Sequence, residues 1–298
     1  MGRGAGDGAL GADVVDAPQG PRRAGRVTEP IFTREGGTYV PSGHARGPWD
    51  DAQLHGGAPA GLLAREIAAV PSGTDGTRMA VLRLAYEFLG PVPLAPLTVS
   101  AALVKPGRRF QLVEAQLAVA GGPVVLRARA VRHRVADPPV PVPDAARATG
   151  PVEVPGGPDP LAHPLAPMVP MGEADTGFGV TGMELRFVHG DFLEPGPAVT
   201  WFRAARPLVD DEAASPLALV AMAADFGNGV SSALDFRTHL FVNTDLTVQL
   251  QREPVGEWVQ LDARTVIDGA GIGLAASRLS DLHGALGTSA QSLYVEAR

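Results

Sequence analysis

The sequence predicts an α+β protein built twice over, each half a curved antiparallel sheet wrapped around one central helix. Three observations carry that expectation. A small, oily helix pattern occurs in each half, alternating strand patterns follow each helix in the same order, and a proline-rich interval separates the two series.

Residues 1–28 are mostly Gly, Ala, Asp and Arg with little to bury, and are expected to form a disordered tail. In the first half, residues 29–135, "APAGLLAREIAAV" reads as a helix with Pro59 near its first turn, where a missing N–H costs nothing. The strand "MAVLRLAYEFL" follows, with Ala80, Leu82, Leu84, Tyr86 and Phe88 on one face. It runs into Pro91 and then into "LTVSAALV", "QLVEAQLAV" and "VVLRARAVRHRV". Proline density over residues 136–170 excludes both helix interior and central strand, so this stretch is read as a linker. In the second half, residues 171–298, "SPLALVAMAADF" repeats the helix, with Pro216 offset by 157 from Pro59. Leu246, Val248 and Leu250 share a face of "DLTVQLQ", and Pro254, "WVQLDARTV", "IGLAASRL" and "TSAQSLYVEA" follow. A helix oily on all sides needs cover on most sides, which a sheet supplies by curling around it. That geometry is the hotdog fold, and two in tandem make a double hotdog.

At 298 residues, 45% hydrophobic and 19% charged, the chain has material for a full core. The formal charge is -7, and its 25 basic residues are scattered instead of gathered into a stripe, which argues against a nucleic-acid partner. Cysteine is absent, which removes disulfides, thiolate metal sites and cysteine nucleophiles together. The histidines show no ligand spacing such as H-x-x-x-H, so neither metal nor cofactor is implied. No run of about 18 apolar residues is present to span a bilayer, and the N-terminal stretch lacks the oily segment of a secretion signal. A cytoplasmic protein with no membrane partner is expected.

The stretch "GPWDDAQLHGGAPAGLLAREI", followed by "FLGPVPLAPLTVSAALVKPGRRFQLVEAQL", resembles the N-terminal hotdog of actinobacterial thioesterase-family proteins. The segments "ALVAMAADFGNG", "FVNTDLTVQLQREP" and "GTSAQSLYVEAR" resemble the C-terminal hotdog of type II acyl-CoA thioesterases. Together the likeness runs from Phe32 to Arg298. It implies a hydrolytic site made of an Asp on the second central helix, a Thr entering the next strand and a Gln on the last strand, jointly holding a water. Asp225 matches the Asp and Gln291 the Gln. Asn243 stands where the family has Thr, a departure that keeps a group able to donate and to accept. The implied substrate is an acyl thioester of coenzyme A or of an acyl carrier protein, which share the arm that enters the tunnel.

Thioester hydrolysis needs a water aimed at the carbonyl carbon, a base for its proton and donors for the oxygen that becomes negative. In the implied site Asp225 is the base, while Asn243 and Gln291 orient the water. A backbone N–H at a helix opening, where Gly56 and Gly57 permit close approach, would hold the oxyanion. Met222 and Phe226 are expected against the acyl chain, and His55 either caps the first helix or touches ligand. Asp225 is poorly placed by local rules, because a carboxylate in the last turn of a helix opposes the dipole by ~0.3–1 kcal/mol and burial without partners costs more. Something must compensate, and Asn243 and Gln291 are the candidates. Asp245 is read as a structural cap.

Two other readings stay open. Hotdog hydratases carry D-x-x-x-x-H at a helix start, and Asp50 and His55 in "DDAQLH" have that spacing without the intervening Asn-Pro. Replacing His55 with Ala is then expected to spare hydrolysis and to abolish hydration. A noncatalytic binder of an acyl thioester or other hydrophobic ligand is kept open by Asn243. "GFGVTG" at 177–182 spells G-x-G-x-x-G, but it leaves a proline-rich interval and enters the strand-like "MELRFVHG", so it is read as a loop. No G-x-S-x-G elbow appears. Open sheet edges favour association, and a homo-oligomer is expected to pair through them.

Overall fold

The computed structural model describes residues 29–73, 76–143, 176–192 and 194–298. The tail expected over 1–28 and most of the linker expected over 136–170 lie outside the described residues. The first half contributes β1 (Phe32–Glu35), β2 (Thr38–Pro41), α1 (Gly57–Ala69), β3 (Met79–Phe88), β4 (Leu97–Lys105), β5 (Phe110–Val119) and β6 (Val124–Arg134). The second contributes β7 (Met183–His189), β8 (Ala198–Ala204), α2 (Pro216–Ala224), the short α3 (Gly227–Val230), β9 (His239–Asn243), β10 (Asp245–Leu250), β11 (Val259–Asp268), β12 (Ile272–Asp281) and β13 (Gly284–Ala297).

The strands make one 13-stranded antiparallel sheet in the order β1-β2-β4-β5-β6-β3-β10-β13-β12-β11-β8-β7, with β9 pairing β13 off this path. β3 and β10 meet in the middle, Leu84 opposite Val248 and Tyr86 opposite Leu246, so the two halves share a continuous ladder. Both helices lie inside the curve: α1 is buried from Gly57 to Ala64 and α2 from Ala218 to Ala224. The Ser215 hydroxyl starts α2 by accepting the Ala218 N–H at 3.2 Å, and Pro216 fits the first turn. Among the described residues no helix is long and apolar enough to cross a membrane.

The helices run antiparallel and nearly touch. A Cβ built on Gly57 would stand 2.6 Å from the Met222 carbonyl oxygen, and one on Gly61 would stand 2.4 Å from Met222 Cγ. Two glycines one helical turn apart therefore let the backbones approach more closely than side chains allow. The arrangement sets the N-terminus of α1 beside the C-terminus of α2. In it Gly57 serves helix contact and Met222, 0% exposed, packs over Gly61.

The turn between β12 and β13 fixes the strand that carries Gln291. Asp281, 0% exposed, accepts two hydrogen bonds from the Arg252 guanidinium at 2.7 and 2.6 Å and the backbone N–H groups of Val255 and His283 at 3.0 and 2.7 Å. Burial works against its charge, but these donors outweigh burial and hold the carboxyl below the ordinary range. A depressed carboxylate contributes stability that is present above the unfolded pKa of about 4 and is lost as pH falls through the lower folded value. Asp281→Asn removes the charge partner of the half-buried Arg252 guanidinium, which keeps the carbonyls of Glu253, Gly284 and Ala285, so urea unfolding at neutral pH should show a loss of about 1–3 kcal/mol. The variant should also lose part of the acid sensitivity of the wild type.

Candidate active site

Asp225 ends α2 with 4% exposure, and its carboxylate is met from three elements. Oδ1 accepts from Asn243 Nδ2 at 2.9 Å, with Gln291 Nε2 at a longer 3.4 Å, and Oδ2 lies 3.1 Å from His55 Nδ1. Asn243 sits where β9 gives way to β10, and its amide also donates to the Asp245 carbonyl at 3.3 Å. The Asp245 carboxylate takes the Ser292 N–H at 2.6 Å, tying β10 to β13.

Gln291 stitches the break between α2 and α3. Its Nε2 donates to the Asp225 carbonyl at 3.1 Å and its Oε1 accepts the Asn228 N–H at 3.0 Å, so the amide is fixed in one orientation. It is 1% exposed and does not line the cavity described below. Its direct work is therefore to hold Asp225 and the turn after it.

His55 ties the first half to the second. Its ring stacks on Phe226 at 4.3 Å between centroids, and Phe178 lies 5.0 Å away. Nδ1 also receives the Gly57 N–H at 3.0 Å. Asp50, the other member of the hydratase spacing, is exposed and occupied within its own turn by the Ala52 N–H at 2.8 Å and Gln53 Nε2 at 3.1 Å. The carboxylate that meets His55 is Asp225.

The negative charge of Asp225 is felt nearby. Burial first, and Asp225 second, push the Tyr86 phenol far above its ordinary range, and its hydroxyl donates to the Ala60 carbonyl at 3.1 Å.

A cavity of about 310 Å³ opens where the halves meet, and His55, Gly56, Asp225, Phe226, Asn228 and Asn243 are among its lining residues. Of the glycine pair, Gly56 lines it and Gly57 does not. Sequence reasoning missed Trp49, Phe88, Phe192 and Phe236, which also line it. No local signal marks them, since the loops and strands that bring them together come from both halves. The motif at 177–182 forms a single wide helical turn before β7, and its Gly179 and Val180 join the cavity wall.

Among the described residues, one end of the helix pair carries this cluster and the other does not. The offset of 157 that relates Pro59 to Pro216 takes Ala68 to Asp225. Arg132 of β6, 4% exposed, closes α1 by donating to the carbonyls of Val70 at 2.7 Å and of Ile67, as Gln291 of β13 closes α2. Gln291→Leu leaves the Asn228 N–H and the Asp225 carbonyl without partners, at about 1–3 kcal/mol for each stranded group, so the urea midpoint should fall accordingly. An unchanged midpoint would mean that water replaces the amide at no cost.

Two family models match the chain: the N-terminal domain of acyl-CoA thioesterases over residues 45–133 and the C-terminal domain over residues 154–295. A search of curated proteins returns no match. Among solved structures, a protein from Thermobifida fusca assigned as a thioesterase II superposes with a TM-score of 0.63 at 19% identity, over 91% of this chain and 96% of that one. An assigned thioesterase from Novosphingobium aromaticivorans gives 0.60 at 20% identity, over 90% and 99%. The acyl-CoA thioesterase II TesB2 of Mycobacterium marinum gives 0.56 at 17% identity, over 89% and 92%. At such identities the structural likeness speaks for the fold, and the two matching domain models speak for the family. The chain belongs to the acyl-CoA thioesterase family and is a thioester hydrolase of two tandem hotdog domains.

Proposed function

We propose that the chain hydrolyses an acyl-CoA thioester by attack of a water that Asp225 activates. The observation that carries the reading is a buried carboxylate on the wall of a cavity, with Asn243 and His55 beside it on the same wall. Asn243 aligns the water and keeps Asp225 Oδ1 in place, and Gln291 holds the helix end from behind. As the water oxygen bonds to the carbonyl carbon, its proton passes to Asp225. The carbonyl oxygen becomes negative and is held by the backbone N–H of Gly56 at the positive end of α1. The carbon–sulfur bond then breaks, and the departing thiolate takes a proton through His55. An acyl carrier protein presents the same arm, and rates measured with the same acyl group on each carrier in turn distinguish the two.

The pairing of His55 with Asp225 changes the expectation for that histidine. His55→Ala should now lower hydrolysis, because it removes a neighbour of the base and a proton donor. The same pairing favours hydrolysis over hydration, since Asp50 is taken up by its own turn. Asp225→Asn should reduce kcat/KM by about 10²–10⁴-fold in a free-thiol assay over an acyl-CoA panel, with the thermal midpoint kept or raised. Asn243→Thr, which retains a donor, should keep most of the rate, whereas Asn243→Val should not. Wild-type protein that binds acyl-CoA yet releases no thiol at any chain length would establish a binder, and rapid hydration of an enoyl-CoA would establish a hydratase.

A further inference from the structure

We infer that the acyl group accepted by this site is compact and ring-bearing, of the benzoyl or phenylacetyl type, and is not a long fatty chain; this rests on the hydrolytic reading above. The first argument is that the route between the helices is shut. Gly57 and Gly61 bring α1 against Met222 so closely that even a methyl group would collide, and Met222 is 0% exposed. An acyl chain entering beside Asp225 meets this contact and cannot pass between the two helices.

The second argument is size. The cavity measures about 310 Å³ and has to admit the thioester and the end of the pantetheine arm as well as the acyl group. A dry cavity of about 150 Å³ suffices for one benzene ring. Half of the available space therefore houses a ring and leaves the remainder for the reacting atoms.

The third argument is the character of the walls. Aromatic residues are 5% of the chain, yet Trp49, Phe88, Phe192, Phe226 and Phe236 all line this one cavity. They are held by their own packing: Trp49 and Phe236 have centroids 5.6 Å apart, Phe226 stacks on His55, and Phe192 meets Phe187 edge-on at 5.3 Å. Phe88 lies against Gly56, where a Cβ would come within 2.9 Å of its ring. Rings have few rotatable bonds and offer faces and edges to another ring, so such walls define one shape. Flexible methionines, which suit varied chains, are not among the lining residues.

Two measurements separate this inference from the hydrolytic reading. In the first, kcat/KM is compared for benzoyl-, phenylacetyl-, octanoyl- and palmitoyl-CoA, and an aryl thioester should exceed palmitoyl by at least about tenfold. In the second, hydrolysis-inert thioether analogues carrying a phenacyl or a hexadecyl group are titrated calorimetrically, and the phenacyl analogue should bind more tightly. A phenacyl preference without turnover of any thioester sinks hydrolysis and leaves the size inference standing. Equal or better rates or affinity for the sixteen-carbon ligand, or no binding of either, overturns the inference. Phe236→Ala should move the octanoyl-to-phenylacetyl ratio upward by about tenfold. Phe236→Leu, which keeps most of the wall volume, should move it less and stands in if the alanine variant fails to fold.

Discussion

The site depends on the close antiparallel contact between α1 and α2. Asp225 is at the wrong end of its own helix, where the dipole disfavours a carboxylate by ~0.3–1 kcal/mol. The same contact brings it to the right end of the other helix: a Cβ on Gly56, which opens α1, would lie 2.8 Å from Asp225 Oδ2. The positive end of a 13-residue helix thus faces the charge that α2 opposes. Burial still costs several kcal/mol, and hydrogen bonds to a charged group return about 1.5–3 kcal/mol each. The Asn243 amide supplies one such hydrogen bond and the Gln291 amide a longer one, and together with the opening of α1 they offset part of that cost. Removing the glycines would separate the helices and with them the two dipoles.

The two ends of the helix pair are closed in different ways. Each helix end has a carbonyl that must be satisfied, and each half sends a residue from its last strand to do so. At α1 that residue is Arg132, whose guanidinium burial holds below its ordinary range, and the position matching Asp225 is Ala68. At α2 the neutral amide of Gln291 does the same work. A guanidinium beside Asp225 would have paired with it. A neutral amide closes the helix and adds no charge there.

What could be read from the sequence was what is local. Both helices, the strands that follow them and the odd carboxylate at Asp225 are written in short patterns. Strand β8 was missed because Trp201 and Phe202 are both 0% exposed, so burial on both faces erased the alternation that marks a strand. β1 and β2 are four residues each, too short for a pattern to declare itself. Met222 looked like an acyl contact because it is oily and close to Asp225 in the chain, yet its position on the helix turns it toward Gly61. Gly57 looked like a place for ligand to approach, and what approaches is the other helix. The contact of His55 with Asp225 had no sequence signature at all, since it exists only after the halves close on each other.

That contact has a consequence for proton movement. His55 Nδ1 has the Gly57 N–H at 3.0 Å and Asp225 Oδ2 at 3.1 Å, and one nitrogen cannot accept from the first while donating to the second. If Nδ1 carries the proton, it donates to the carboxylate and the Gly57 N–H loses its partner. If Asp225 carries it, the acid and the Gly57 N–H compete for the single lone pair of Nδ1. Both arrangements use the same heavy-atom positions. The first turn of α1 thus sets the competition between Gly57 and Asp225 for one ring nitrogen. The helix opening thus acts on the charge of Asp225 through its dipole and on the proton through one backbone N–H.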